Sequence, residues 1–207
     1  MNHLGTVKLE TSRLILRKIA LCDSKDMFNN WASNPNVTKH MTWPTHTNEE
    51  ITIMVINSWL DGYQKKEFYQ WAIELKGTHQ IIGSISVVSI NERINEMEIG
   101  YCIGEKWWNK GITSEALSAV IEFLFNHVGA NRIVACHDVD NPASGKVMLK
   151  NNMKYEGTIR QKGITGTGKI CDLAYYSILK EEYKSKTLKN ISMTINSRLL
   201  LITKIIN

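Results

Sequence analysis

The stretch Glu96 to Leu117, EMEIGYCIGEKWWNKGITSEAL, governs the reading of this chain. Glu96 to Ile103 is an apolar strand pattern, WWNKG is a polar turn carrying a glycine, and a helical pattern runs from Thr113 to His127 with Ala116, Val120, Phe123 and Leu124 on one side. A strand that feeds a helix through such a turn brings unpaired backbone N–H groups and the positive end of the helix dipole to one place. Lys110, Gly111, Ile112, Thr113 and Ser114 are therefore expected to wrap an anion such as a pyrophosphate, with Gly111 allowing close backbone approach.

Outward from that stretch, strands and helices alternate. Leu9 to Lys18 reads as a strand, and Leu21 to Ser33 and Thr47 to Gln64 have helical spacing, the second opened by a capping box of Thr47 and Glu50. Phe68 to Leu75 and Gln80 to Ile90 form a hairpin through Lys76 to His79. Arg132 to Asp138 is a short buried strand, Ala143 to Asn151 a helix, and Met153 to Lys162 and Cys171 to Leu179 are two last strands. A length of 207 residues, 43% of them hydrophobic, suits one cored domain.

Other readings fall away on composition. The net charge of +5 and pI near 9.0 come from scattered lysines, so neither a nucleic-acid arm nor a direct nucleic-acid partner is expected. The start, MNHLGTVKLE, has no signal-peptide core and no run suits a bilayer span, which predicts a cytoplasmic protein with no membrane partner. Cys22, Cys102, Cys136 and Cys171 lie far apart without a C-x-x-C, so no zinc site or disulfide framework is indicated. Gly163 to Ile170 approaches the P-loop pattern but lacks the final Ser or Thr, and a strand follows where a helix is needed. It reads as a hairpin turn. His137, Asp138 and Asp140 have no partner cluster in sequence, and no metal is expected.

Three segments together carry a resemblance. Trp108-Asn109-Lys110-Gly111-Ile112-Thr113 resembles the acyl-CoA-binding motif Q/R-x-x-G-x-G/A of the GCN5-related N-acetyltransferases. Gly111 matches outright, while Trp108 and Thr113 replace the other two signature residues. The Trp variant is similar to the RimJ/RimL-like branch, whose turn commonly reads WGKGYATEA. Glu10 to Arg17, ETSRLILR, fits the E-T-x-R-L-x-L-R first strand of that branch, and Asn141-Pro142-Ala143-Ser144 followed by LKNNMKYEG resembles its N-x-x-S helix and the turn beyond. The resemblance spans residues 9 to 183. It implies an α/β fold with a mostly antiparallel, splayed central sheet flanked by helices, as an acetyltransferase domain over residues 1–183, and acetyl-CoA as cosubstrate without a metal.

In such enzymes the amine attacks the thioester directly. The resemblance implies that the strand from Glu98 to Ile103 is distorted by a bulge, which Gly100 would tolerate, and that the backbone of Tyr101, Cys102 and Ile103 receives the pantetheine arm and polarises the thioester carbonyl. Glu98 is the first choice for general base and Glu96 the fallback, the bland alternative for Glu98 being a surface carboxylate paired to a lysine. Asn141 is expected at the pantetheine amides and Ser144 near the leaving sulfur, although both also suit helix capping. Met148 stands where many branches carry a catalytic tyrosine, and Asn152 replaces the glycine of the helix-ending turn, a change Asn tolerates.

The expected acceptor is a primary amine, first of all a protein N-terminus of the ribosomal-protein kind. A small-molecule amine such as an antibiotic or polyamine is the alternative, and a non-catalytic CoA-binding module is a reading of a different class. Lys39 to Thr47 lies on the expected acceptor side, where His40, Trp43 and His46 are candidates for contact. Residues 184–207 form a C-terminal extension whose apolar part, Ile191 to Asn207, is expected to dock on the domain or on a second copy as a homodimer.

Overall fold

A computed structural model describes residues 1–185. The sheet has eight strands: β1 (Leu9–Glu10), β2 (Leu14–Arg17), β3 (Gln70–Leu75), β4 (Ile81–Asn91), β5 (Glu96–Ile103), β6 (Arg132–Asp138), β7 (Lys154–Ile164) and β8 (Ile170–Leu179), in the spatial order β1-β2-β3-β4-β5-β6-β8-β7. Every neighbouring pair is antiparallel except β5 with β6, which is parallel.

That parallel pair shapes the molecule. It holds only at Glu96 with Arg132, Met97 with Ile133 and Glu98 with Val134. Beyond Glu98, β5 stays on β4 as far as Ile103 opposite Gly83, while β6 stays on β8 as far as Asp138 opposite Leu173. The two strands diverge and leave a wedge-shaped gap in the sheet. The expected bulge lies elsewhere than expected: the extra residue is Val88 of β4, between Val87 opposite Ile99 and Ser89 opposite Glu98, and Gly100 lies beside it, where a Cβ would come within 3.0 Å of Val88.

Helices cover the sheet on both sides. On one face α4 (Ile112–Phe123) presents Ile112, Ala116, Leu117, Val120 and Ile121 to a large core that includes Leu14, Trp71, Ile85, Met97 and Ile133. On the other, α1 (Ser24–Met27), α2 (Pro35–Thr38) and α3 (Glu49–Gly62) enclose a smaller core of Ile19, Met27, Trp31, Ile56, Ile81 and Cys102. Helix α5 (Pro142–Lys150) buries Met148 to 1% exposure, so the residue at the usual tyrosine position serves packing.

Local chemistry moved several expected boundaries. The strand expected over Leu9 to Lys18 is a hairpin, because Thr11 N–H donates to the Leu14 carbonyl and Leu14 N–H to Thr11 Oγ1. The helix expected over Leu21 to Ser33 is a 3-10 turn, a short α-helix and a π-turn over Phe28–Ala32. Asn48, not Thr47, caps α3, its side chain accepting from Ile51 N–H at 3.1 Å. Thr165 to Lys169 forms the tight turn anticipated in place of a P-loop. The expected docking of Ile191 to Asn207 lies outside the described residues.

Candidate active site

The wedge opens onto a cleft of about 340 Å³. Tyr101, Cys102 and Ile103 line it from β5, Gly111, Ile112, Thr113 and Ser114 from the head of α4, and Asn141 and Ser144 from α5. Nine of the eleven residues expected to bind the cofactor or act in catalysis, the fallback Glu96 aside, thus meet in one place. Lys110 and Glu98 are not among the lining residues.

The glycine turn has the strained backbone that an anion nest requires. Asn109 and Gly111 both lie in the left-handed region, at φ of 59° and 72°, and Gly111 stands at the N-cap of α4 with no side-chain cap on the first turn. A residue the sequence reading passed over holds this turn. Arg13 donates through Nη1 to the Lys110 carbonyl at 3.0 Å and through Nε to Glu115 Oε2 at 2.6 Å. Glu115 Oε1 also accepts from Thr11 Oγ1, Ser12 Oγ and Arg13 N–H at 2.6 to 3.0 Å. Burial alone would raise the Glu115 pKa, but the Thr11, Arg13 and Ser12 bonds outweigh it and hold the carboxyl at about 2. The residues 11–13 of the first-strand signature are therefore a clamp on the turn.

Along β5, Gly104 N–H bonds to the Ile82 carbonyl. Antiparallel alternation then directs the N–H groups of Tyr101 and Ile103 away from β4 and into the wedge, and that of Cys102 toward β4. Of the three backbone positions expected to polarise a carbonyl, two face the gap. Burial pushes the Cys102 thiol up to about 11, with Ser84 Oγ 3.6 Å away, so this cysteine packs as a small hydrophobe.

Across the wedge, Asn141 occupies the N-cap position of α5 but makes no capping bond with its side chain. Its N–H donates to the Asp138 carbonyl at 2.7 Å, and its carbonyl accepts from Ser144 N–H at 3.1 Å. Ser144 Oγ donates to the Tyr101 hydroxyl oxygen at 3.0 Å, and the Tyr101 hydroxyl donates to the Ser144 carbonyl at 2.9 Å. Burial raises the Tyr101 pKa well above the usual phenol value, keeping it a neutral donor. The Tyr101 and Ser144 hydroxyls thus bridge the two walls where the strands part.

Glu98 stands at the closed end of the wedge, as the last residue of β5 paired with β6. It is half-buried, and the Cys136 thiol donates to its Oε1 at 3.3 Å. Burial and the Glu98 charge push Cys136 up to about 12. Tyr175, hydrogen-bonded to Cys136, is also pushed up to about 12, by burial first and then by Cys136 and Glu98.

The three acceptor-side candidates separate. His46 is 6% exposed and bonded to Thr52 Oγ1 at 2.7 Å, with its pKa lowered by burial, and Trp43 packs on the smaller core. His40 alone of the three lines the cleft. Basic residues Lys39, Lys146 and Lys150 line it as well, a charge pattern suited to phosphate groups. Among the described residues no group of three His, Cys, Asp or Glu side chains is placed to hold a metal ion.

A sheet parted between two parallel strands, with a glycine turn feeding a helix at its mouth, defines an acyl-CoA-dependent acyltransferase. The acetyltransferase (GNAT) domain family matches residues 13–154, and this chain belongs to that family. It is an N-acetyltransferase that takes its acetyl group from acetyl-CoA. An uncharacterized N-acetyltransferase of Bacillus subtilis, YoaA, is 35% identical over 172 residues, covering 83% of this chain and 96% of that protein. A ribosomal-protein-serine acetyltransferase of Escherichia coli is 37% identical over 82 residues, which cover 40% of this chain and 46% of that one. The solved structure of RimL, a ribosomal-protein α-N-acetyltransferase in complex with coenzyme A, superposes with a TM-score of 0.76 at 21% identity over 85% of this chain and 99% of that one.

Proposed function

We propose that this enzyme acetylates the α-amino group of a protein N-terminus, of the ribosomal-protein kind, in the cytoplasm. The observation that carries the reading is that, among the described residues, no unpaired carboxylate lines the cleft. Glu98 is outside its lining, and the one lining aspartate, Asp140, is ion-paired to Lys169 at 2.6 Å. Such a site suits an amine that needs little deprotonation. An α-amine with a pKa of about 7.7 to 8.0 is roughly a tenth neutral at pH 7, whereas a lysine near 10.4 is neutral at under about one part in a thousand. The difference is worth about 3 to 4 kcal/mol. The name of the Escherichia coli relative supports the same acceptor class.

In this reading the pyrophosphate of acetyl-CoA lies on the N–H groups of residues 110–114, and the pantetheine arm runs down the wedge against Tyr101 and Ile103, with Asn141 on its amides. The thioester carbonyl accepts from the β5 backbone, and Ser144, backed by Tyr101, stands by the departing sulfur. The test is a mass-shift screen with acetyl-CoA against peptides bearing ribosomal-protein N-termini, the same peptides blocked at the N-terminus but carrying an internal lysine, spermidine and aminoglycosides. Acetylation of free N-termini is expected. Turnover confined to spermidine or an aminoglycoside would replace this reading with the small-molecule one.

A further inference from the structure

We infer that His40, oriented by Asp138, is the base that takes the proton from the acceptor amine. The inference rests on the proposed seating of the thioester in the wedge and holds for any amine acceptor. His40 Nδ1 lies 2.8 Å from Asp138 Oδ2, a contact between residues 98 apart in sequence that joins the loop after α2 to the end of β6. The side chains are 16% and 2% exposed, so the pair is largely shielded from solvent while His40 still reaches the cleft. Burial would raise the Asp138 pKa, but the bonds from His40 and from Asp140 N–H outweigh it and hold the carboxyl below its ordinary value, so Asp138 is an ionised acceptor.

A carboxylate can only accept, so Nδ1 carries the proton and a neutral His40 presents a lone pair at Nε2. Among the described residues Nε2 has no hydrogen-bond partner. Orientation of an imidazole by a buried carboxylate on one nitrogen leaves the other free to accept a proton. Glu98 has no such geometry toward the cleft. The remaining charged groups around His40 are Lys39 beside it in the chain, Asp140 with its partner Lys169 beyond Asp138, and Lys146 and Lys150 across the cleft on α5.

The step balances without a further reagent. The ammonium acceptor gives one proton to His40 Nε2, which passes it to solvent. The freed nitrogen lone pair forms the N–C bond at the carbonyl carbon, the C–S bond breaks with its electron pair on sulfur, and the second nitrogen proton ends on the thiolate. The products are the acetamide and the free thiol of coenzyme A.

The test compares wild type, His40→Asn, His40→Gly and Asp138→Asn, using acetyl-CoA and a free N-terminal serine peptide, with spermidine as a second acceptor. Expected for His40→Asn is a fall in kcat of at least about 10-fold at pH 6.5, shrinking toward parity at pH 9, where the α-amine is deprotonated by solvent. Asp138→Asn should fall in the same direction, and imidazole should restore His40→Gly while coenzyme A affinity by calorimetry stays at the wild-type value. A loss in His40→Asn that is equal at pH 6.5 and pH 9, or that imidazole does not rescue, would make the pair a structural latch and overturn the inference. So would unchanged kcat in His40→Asn. Wild-type turnover of spermidine but not of the peptide would refute the proposed acceptor instead, leaving the His40 comparison to be read on spermidine.

Discussion

Replacing Glu115 with Gln tests whether the first hairpin and the glycine turn are one mechanical unit. Glutamine keeps an oxygen for Thr11, Ser12 and the Arg13 N–H but loses the charge that Arg13 Nε meets at 2.6 Å. A carboxyl held at about 2 instead of 4.5 is worth about 3 kcal/mol at 1.36 kcal/mol per pKa unit. Because Arg13 is 46% exposed, solvent screening reduces this to about 1 to 2 kcal/mol. The folded carboxyl titrates below the unfolded one, so its contribution is full above about pH 4.5 and is lost as pH falls toward about 2. Urea denaturation of wild type and variant from pH 7 to pH 3 should therefore show a gap of about 1 to 2 kcal/mol at pH 7 that has lost more than half its size by pH 3. Coenzyme A affinity should drop with it by about 5-fold, or roughly 1 kcal/mol, since Arg13 also holds the Lys110 carbonyl. A gap of the same size at pH 3 and pH 7 would refute the charge argument, and unchanged coenzyme affinity would separate the clamp from the turn.

Other perturbations probe the remaining walls of the cleft. Gly111→Trp places a bulky residue at φ of 72°, at a cost of about 1 to 2 kcal/mol, and fills the anion approach; calorimetry should show coenzyme A affinity reduced more than about 10-fold with the circular dichroism spectrum retained, and full affinity would rule out the pyrophosphate placement. Glu98→Gln should leave α-amine transfer within about 3-fold of wild type, because His40 carries the proton; a drop as large as that of His40→Asn would return the base to Glu98. Gly166→Ala puts a Cβ 2.2 Å from the Trp43 backbone, pushing the β7–β8 turn off the loop that holds His40. The acceptor KM should rise with coenzyme affinity constant, and an unaltered KM would show that this turn does not shape the acceptor side.

Strands β5 and β6 were legible from sequence to the residue because each is a short apolar run bounded by polar turns. The hairpin within Leu9 to Lys18 was not, since one hydroxyl, Thr11 Oγ1, decides between a turn and continued extension. Nor does any local pattern show that Val88, rather than a residue near Gly100, is the bulged position, because bulges depend on which partner strand has residues to spare. The lining of the cleft from β5, α4 and α5 followed from motifs. The Arg13 to Glu115 clamp joins segments 102 residues apart, and the His40 to Asp138 pair is set by the loop after α2 meeting a sheet it never enters as a strand. The first had a visible signal: Arg13 lies within the first-strand signature that carried the resemblance, and Glu115 within the helix start. The second had none beyond a histidine on the expected acceptor side.

The three-residue seam between β5 and β6 makes the sheet two half-sheets held along one short edge. A pantetheine arm lying in the gap, with amides facing Tyr101 and Ile103, would take the place of the missing rungs as a temporary strand. Substrate loading and sheet completion then become one event, and the free energy of one is drawn from the other. Coenzyme present at about 100 times its dissociation constant would add about 2.7 kcal/mol to the folded state. The abundance of the enzyme in a cell would then follow the supply of its own acyl donor, with starvation for the donor leaving the backbone ladder between the halves closed only by Glu96, Met97 and Glu98 against their partners, over the core the halves share.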